Sequence, residues 1–186
     1  MKTVLFIGVL GIIYYLTSWV ENIEDQTSLK IAGLGKFKQQ DLLFVATVIE
    51  DFANIQTVLV EPISTTDKTV YRYMDKHLKL DCKAMHEELP FNSFTKRLML
   101  VTSEELSNGD EKIGGLACNF DKVAFVSASM SRPNLKITTI HEYCHLLKLK
   151  HCKNTACIMN ESPFVNNAVD LCETCKRKIH FTKAHI

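Results

Sequence analysis

Residues 141–151 read His-Glu-Tyr-Cys-His-Leu-Leu-Lys-Leu-Lys-His. His141 and His145 stand four apart, so a helix presents both on one face. Neutral imidazole nitrogens are good zinc ligands, and two from adjacent turns supply half a tetrahedron. Glu142 follows the first histidine directly, and its carboxylate can reach a metal-bound water. His151 comes six residues after His145 and cannot share that helical face. The chain must turn after Leu147 to bring it back as a third ligand. Three protein ligands leave the fourth position to water, the pattern of a catalytic zinc site.

A second set of donors begins at the next residue. The chain has seven cysteines, an odd number that cannot all pair within one molecule. Cys82 and Cys118 stand apart, and Cys144 lies inside the histidine motif. Cys152 and Cys157 are spaced C-x4-C, and Cys172 and Cys175 C-x-x-C. Two thiolate pairs at these spacings read as a closed, structural four-cysteine zinc site. Two disulfides are the alternative, but a C-x-x-C disulfide closes a very small loop and stabilises little. Four thiolates around one zinc carry two negative charges. Lys148, Lys150, Lys153, Lys176, Arg177 and Lys178 either offset them or form a solvated basic face. Cys82, Cys118 and Cys144 read by default as small buried apolar residues.

These donors need elements to position them. Leu42, Val45, Ala46, Ile49 and Phe52 recur at helical spacing, which predicts an amphipathic helix over 39–53. Thr57–Val60 reads as a short strand, and residues 67–89 as mostly helical, with Tyr71, Met74 and Leu78 on one side. Leu98–Val101 reads as a buried strand. Asn108-Gly109-Asp110 and Gly114-Gly115 mark turns. Leu116–Phe120 and Val123–Ser129 read as two strands joined tightly around Asp121-Lys122. Pro133 is placed to open a helix running to about Leu149. Its buried stripe would be Ile137, Ile140, Cys144 and Leu147. A last helix is expected over Asn167–Ile179. From residue 21 onward the chain therefore reads as one alternating α/β domain.

The first twenty residues differ from the rest. Thr3–Val20 is almost wholly apolar and uncharged, with Lys2 before it and Glu21, Glu24 and Asp25 after it. As a helix it would span about 27 Å, close to a bilayer core. Tyr14, Tyr15 and Trp19 sit where an interfacial belt would lie. The expectation is a signal peptide or membrane anchor at 1–20, a tether at 21–30 and the folded domain at 31–186. That domain would be exported, or anchored with its catalytic part outside the cytoplasm.

Composition narrows the classes. The chain has 186 residues, 46% of them hydrophobic, and a formal net charge of +1. It is too apolar to be wholly disordered and long enough to build a core without staples. Near-neutral balance argues against nucleic acid as a partner.

The run H-E-x-x-H-x-x-x-x-x-H-C-x4-C-x-M followed by C-x-x-C resembles the archaemetzincins, a family of metzincin-type zinc proteases. The resemblance covers residues 141–175, with a looser likeness upstream. It implies an α+β fold of zincin type: a mixed twisted sheet, an active-site helix and a C-terminal helix. It implies a catalytic zinc on His141, His145 and His151, with Glu142 as general base. A structural zinc on Cys152, Cys157, Cys172 and Cys175 makes two per chain. Met159 matches the methionine of the Met-turn beneath the catalytic zinc. Peptide or protein is the implied substrate, aligned on the edge strand before the active-site helix, by position Val123–Ser129. Lys148 stands where the family has a glycine that ends the helix and turns the chain. The rival class is a catalytically inactive shell, its third-ligand turn distorted by Lys148 and retained as a binding module. A four-cysteine nucleic-acid module over 148–183 is a further rival, opposed by the charge balance.

Overall fold

The structure is a computed structural model that describes residues 28–64, 71–74, 77–81, 97–118, 122–164 and 168–184. The apolar run at 3–20, most of the expected tether and Cys82 lie outside the described residues. Among the described residues, no helix is long and apolar enough to cross a membrane.

Strand β1 (Ser28–Gly33) leads to helix α1 (Gln39–Ala53) and strand β2 (Gln56–Leu59). Strands β3 (Tyr71–Met74), β4 (His77–Asp81), β5 (Leu98–Thr102), β6 (Leu106–Asn108), β7 (Glu111–Ile113), β8 (Gly115–Cys118) and β9 (Val123–Ser127) follow. Helices α2 (Arg132–Leu146) and α3 (Glu173–Ala184) complete the order. Because β1 starts at Ser28, the last three residues of the expected tether are part of the sheet.

The main sheet has the order β2-β1-β5-β9-β8, parallel except for β8, which runs antiparallel to β9. All five residues of β5 and all five of β9 are buried. Both strands are covered on both faces, which explains their continuous apolar runs. Leu29, Ile31, Met99, Val101, Ala124 and Val126 share one face with α1 and α2. Ala32, Leu34, Leu98, Leu100, Val123 and Phe125 share the other. There Leu106 of β6 and Ile113 of β7 close over them. Those two strands belong to a second, four-stranded sheet of order β3-β4-β6-β7.

Helix α1 buries Leu42, Val45, Ala46, Ile49 and Ala53. It stops at Asn54, whose left-handed conformation lets its N–H donate to Glu50 O. Helix α2 starts at Ser131 with Pro133 in its first turn, where a missing N–H costs nothing. The two helices are tied at their N-terminal ends. Arg132 Nη2 lies 2.7 Å from the buried carboxylate of Asp41, and its guanidinium stacks 4.6 Å from the centre of the Phe44 ring.

Three expectations are corrected. The helical reading of 67–89 gives way to β3 and β4, an antiparallel pair with Tyr71 opposite Leu80. Residues 65–70, 75–76 and 82–96 lie outside the described residues. A short window with apolar residues at both spacings does not separate period 2 from period 3.6, and pairing with a neighbouring strand decides it. The last helix begins at Glu173, because the chain before it is used in a bridge between Cys157 and Asp170. Strand β9 is interior; the edge next to α2 is β8. The order of strands across a sheet is not the order along the chain, so proximity in sequence to α2 pointed to the wrong strand.

Removing the Arg132 side chain leaves Asp41 buried without this cation. Arg132→Ala is expected to lower stability by about 2 kcal/mol. The measurement is the urea midpoint, which should fall with an unchanged m-value.

Candidate active site and metal centres

Helix α2 carries His141 and His145 one turn apart, with His141 buried and His145 half-buried. The helix ends in a Schellman turn. Lys148 has φ 65, its N–H donates to His145 O at 2.7 Å, and Leu149 N–H donates to Cys144 O at 3.0 Å. Leu149 and Cys144 are both buried in the same core. The family's glycine position is thus occupied by a left-handed lysine, and the chain still reverses. His151 arrives beside the other two. The Nε2 atoms lie 3.0 Å (His141–His145), 3.1 Å (His145–His151) and 3.3 Å (His141–His151) apart.

Backbone carbonyls set the tautomers. His141 Nδ1 donates to Ile158 O and His145 Nδ1 to Leu149 O, each at 2.7 Å. A carbonyl only accepts, so these Nδ1 atoms carry the hydrogen and the neutral rings present Nε2 lone pairs. Two lone pairs meet at 3.0 Å with no hydrogen between them, and a cation is what such a set binds. Donors about 2.0–2.1 Å from a tetrahedral zinc lie about 3.3 Å apart, close to the observed triangle. Burial pushes the His141 pKa down to about 4, with its two histidine neighbours adding to the effect. Burial also lowers that of His145. The neutral, metal-binding form is therefore the resident one.

Glu142 lines the same cleft, of about 620 Å³, between α2, β8 and the segment at Pro163-Phe164. Its carboxyl accepts the backbone N–H of Ala117, and burial raises its pKa to about 8. Oε2 is buried and makes no hydrogen bond to the described residues. A buried carboxylate oxygen without a partner is a seat for water or substrate.

The four expected cysteines also meet. The Sγ atoms of Cys152, Cys157, Cys172 and Cys175 all lie within 4.8 Å of one another. Cys152 and Cys172 are 3.7 Å apart, against about 3.8 Å for thiolates on one tetrahedral zinc. None is in a disulfide. The sulfurs converge on one centre instead of forming two pairs. Backbone N–H groups point at them: Asn154 at Cys152 Sγ (3.5 Å) and Cys172 at Cys157 Sγ (3.3 Å). The N–H of Cys175 does most to pull the Cys172 thiol down to about 7. Both donor sets suit zinc.

Met159 is fully buried in the core, and its carbonyl accepts the Cys152 N–H at 2.7 Å. Cys144 is buried in the same core; Cys118 is half-buried against the opposite face of the sheet. Sequence reasoning missed the carbonyls of Leu149 and Ile158, the N–H of Ala117 and the place of Gly115. Only the last left a signal, since a glycine within a strand marks a close backbone approach. The Gly114-Gly115 pair reads in sequence as a turn, whereas Gly115 opens β8.

No family model matches the chain. It is 43% identical over 44 residues to an archaemetzincin of Haloarcula marismortui, a match spanning 22% of this chain and 25% of that protein. It is similar in fold to the archaemetzincin of Archaeoglobus fulgidus, crystallised with malonate. The TM-score is 0.66 at 20% identity, over 81% of this chain and 99% of that one. For the archaemetzincin of Methanopyrus kandleri the TM-score is 0.64 at 14% identity, over 84% and 96%. A zinc-dependent peptidase of Methanocorpusculum labreanum gives 0.60 at 16%, over 81% and 99%. The chain is archaemetzincin-like. Its mixed α/β fold is similar to that of these archaeal proteins.

The archaemetzincin-like fold corrects the expected localisation. Export or membrane anchoring rested on run length, charge flanks and the aromatic residues near the end of the run. The fold neighbours are archaeal archaemetzincins, and no helix among the described residues is long and apolar enough to cross a membrane. An apolar run records only hydrophobicity, which burial against protein satisfies as well as lipid does.

Two outcomes test this geometry. Lys148→Gly removes the strain of a left-handed side chain at some entropic cost in the unfolded state. It should raise stability by about 0.5–1 kcal/mol and keep metal binding. In protein stripped of metal, Glu142 holds its proton up to about pH 8, whereas the unfolded chain loses it near 4.5. The folded state binds more protons in that window, so this contribution falls as pH rises through it. Chemical denaturation of wild type and Glu142→Gln at each pH isolates it. The variant should gain on wild type by up to about 1.4 kcal/mol per pH unit between those limits.

Proposed function

We propose that this chain is a zinc metallopeptidase with one catalytic and one structural zinc, acting on peptide or protein. The observation that carries the reading is the convergence of three imidazole Nε2 atoms beside a buried carboxylate with one unpartnered oxygen. His141, His145 and His151 hold the catalytic ion through Nε2. Bound there, zinc polarises a peptide carbonyl and lowers the pKa of water. Glu142 takes the proton of the attacking water on Oε2 and returns it to the leaving nitrogen. The Ala117 N–H holds the carboxyl group meanwhile. A nearby cation also draws the Glu142 pKa down from its raised value, toward the base form. The outward edge of β8 offers backbone groups to an extended peptide.

Cys152, Cys157, Cys172 and Cys175 hold the structural ion, which clamps the loop after His151 to the start of α3. The case for an inactive shell lay in a turn spoiled by Lys148. The turn is made and His151 is delivered, which supports the catalytic reading.

The test pairs metal analysis with peptide hydrolysis. Wild type should carry two zinc ions per chain and cleave a peptide library. His145→Ala should lose one zinc and all cleavage. Glu142→Gln should keep both ions while cleavage falls by about 100-fold or more. Full metal loading without cleavage by wild type would favour the binding module. Undiminished cleavage by Glu142→Gln would remove Glu142 as the base.

A further inference from the structure

Gly115 opens β8 against Glu142. A Cβ built on it would stand 2.7 Å from Glu142 Cγ, 2.9 Å from Glu142 Oε1 and 2.8 Å from the Phe125 carbonyl oxygen. Real Cβ atoms essentially never come that close. Gly115 is not among the residues of positive φ, so the demand here is for space and not for backbone freedom.

The register explains the closeness. Ser127 N–H donates to Gly114 O at 2.9 Å, and β8 pairs Gly115 with Val126, Leu116 with Phe125 and Ala117 with Ala124. Antiparallel alternation then turns the backbone groups of Gly115 and Ala117 away from β9. The outward N–H of Ala117 is the one that reaches Glu142. Oε2 is buried without a hydrogen-bond partner, and Oε1 lies 2.9 Å from where a side chain on Gly115 would begin. The Glu142 carboxylate therefore sits at the spot that a side chain on Gly115 would fill.

We infer that Gly115 is a positioning residue for Glu142: its missing side chain leaves the seat in which the carboxylate lies against the edge strand with Oε2 free for water. This rests on Glu142 acting as the general base. A methyl group at 115 must push the carboxylate out of that seat, or push β8 away from Phe125.

Zinc content, peptide kinetics and thermal melts of full-length Gly115→Ala, Glu142→Ala and the double variant separate these outcomes. Gly115→Ala should keep wild-type zinc content and KM while kcat falls about 100-fold. Its melting penalty should shrink by roughly half or more in the Glu142→Ala background, because the contact it offends is gone. Wild-type kcat in Gly115→Ala would overturn the inference. So would an equal melting penalty in both backgrounds, which would mean that only the Phe125 carbonyl objects. If Gly115→Ala does not fold, the double variant decides: folding supports the inference and failure to fold overturns it. If wild type cleaves nothing yet the melting penalties couple, the peptidase reading falls while the contact between Gly115 and Glu142 stands.

Discussion

Two imidazole nitrogens, each with a lone pair, face one another at 3.0 Å across one turn of α2, and a third closes the triangle. Without a cation that arrangement repels, so the fold around it must hold it. Two carbonyl oxygens do so, Ile158 on His141 and Leu149 on His145. Each removes a rotational choice and a tautomer at once, as outer partners of metal-binding histidines do. The turn at Lys148 and the backbone bonds around Ile158 put those two carbonyls in place.

Leu149 owes its position to the chain reversal at Lys148. A single left-handed residue, costing of order 1 kcal/mol for a lysine, ends the helix, exposes the carbonyl and sends His151 back toward α2. Ile158 owes its position to the cysteines. It lies between Cys157 and Met159, its N–H donates to Asp170 O, and Cys152 N–H donates to Met159 O. The two donor clusters are one mechanical unit, since the segment that carries two of the thiols also carries the carbonyl that orients His141. Asn160 adds to it by donating its side-chain amide to Cys152 O.

The cleft depends on a different asymmetry. Strands β5 and β9 are sealed on both faces, whereas β8 is an edge with one row of backbone groups turned outward. Helix α2 packs against that edge so closely that the carboxylate of Glu142 lies where a side chain of Gly115 would be. Depth and rigidity come from the buried parallel core, and access comes from the single antiparallel strand.

Much of the site was legible in the chain, because metal-ligand spacing is local chemistry. The i, i+4 pair His141 and His145 with His151 after a required turn, and the two spaced cysteine pairs, each come together in the structure. Helix α1 also forms where the spacing of Leu42, Val45, Ala46 and Ile49 puts it, and the buried strand where Leu98–Val101 reads as one. These patterns carry their own geometry within one element or one turn. Tertiary structure alone decided which strand is the edge, that 71–81 pairs as strands, and that α3 starts after Cys172. It also decided which carbonyls hold the histidines and why position 115 has no side chain. Those outcomes depend on which segments become neighbours, and backbone carbonyls and N–H groups are the same at every residue. A pattern of side chains cannot name them until the chain has folded.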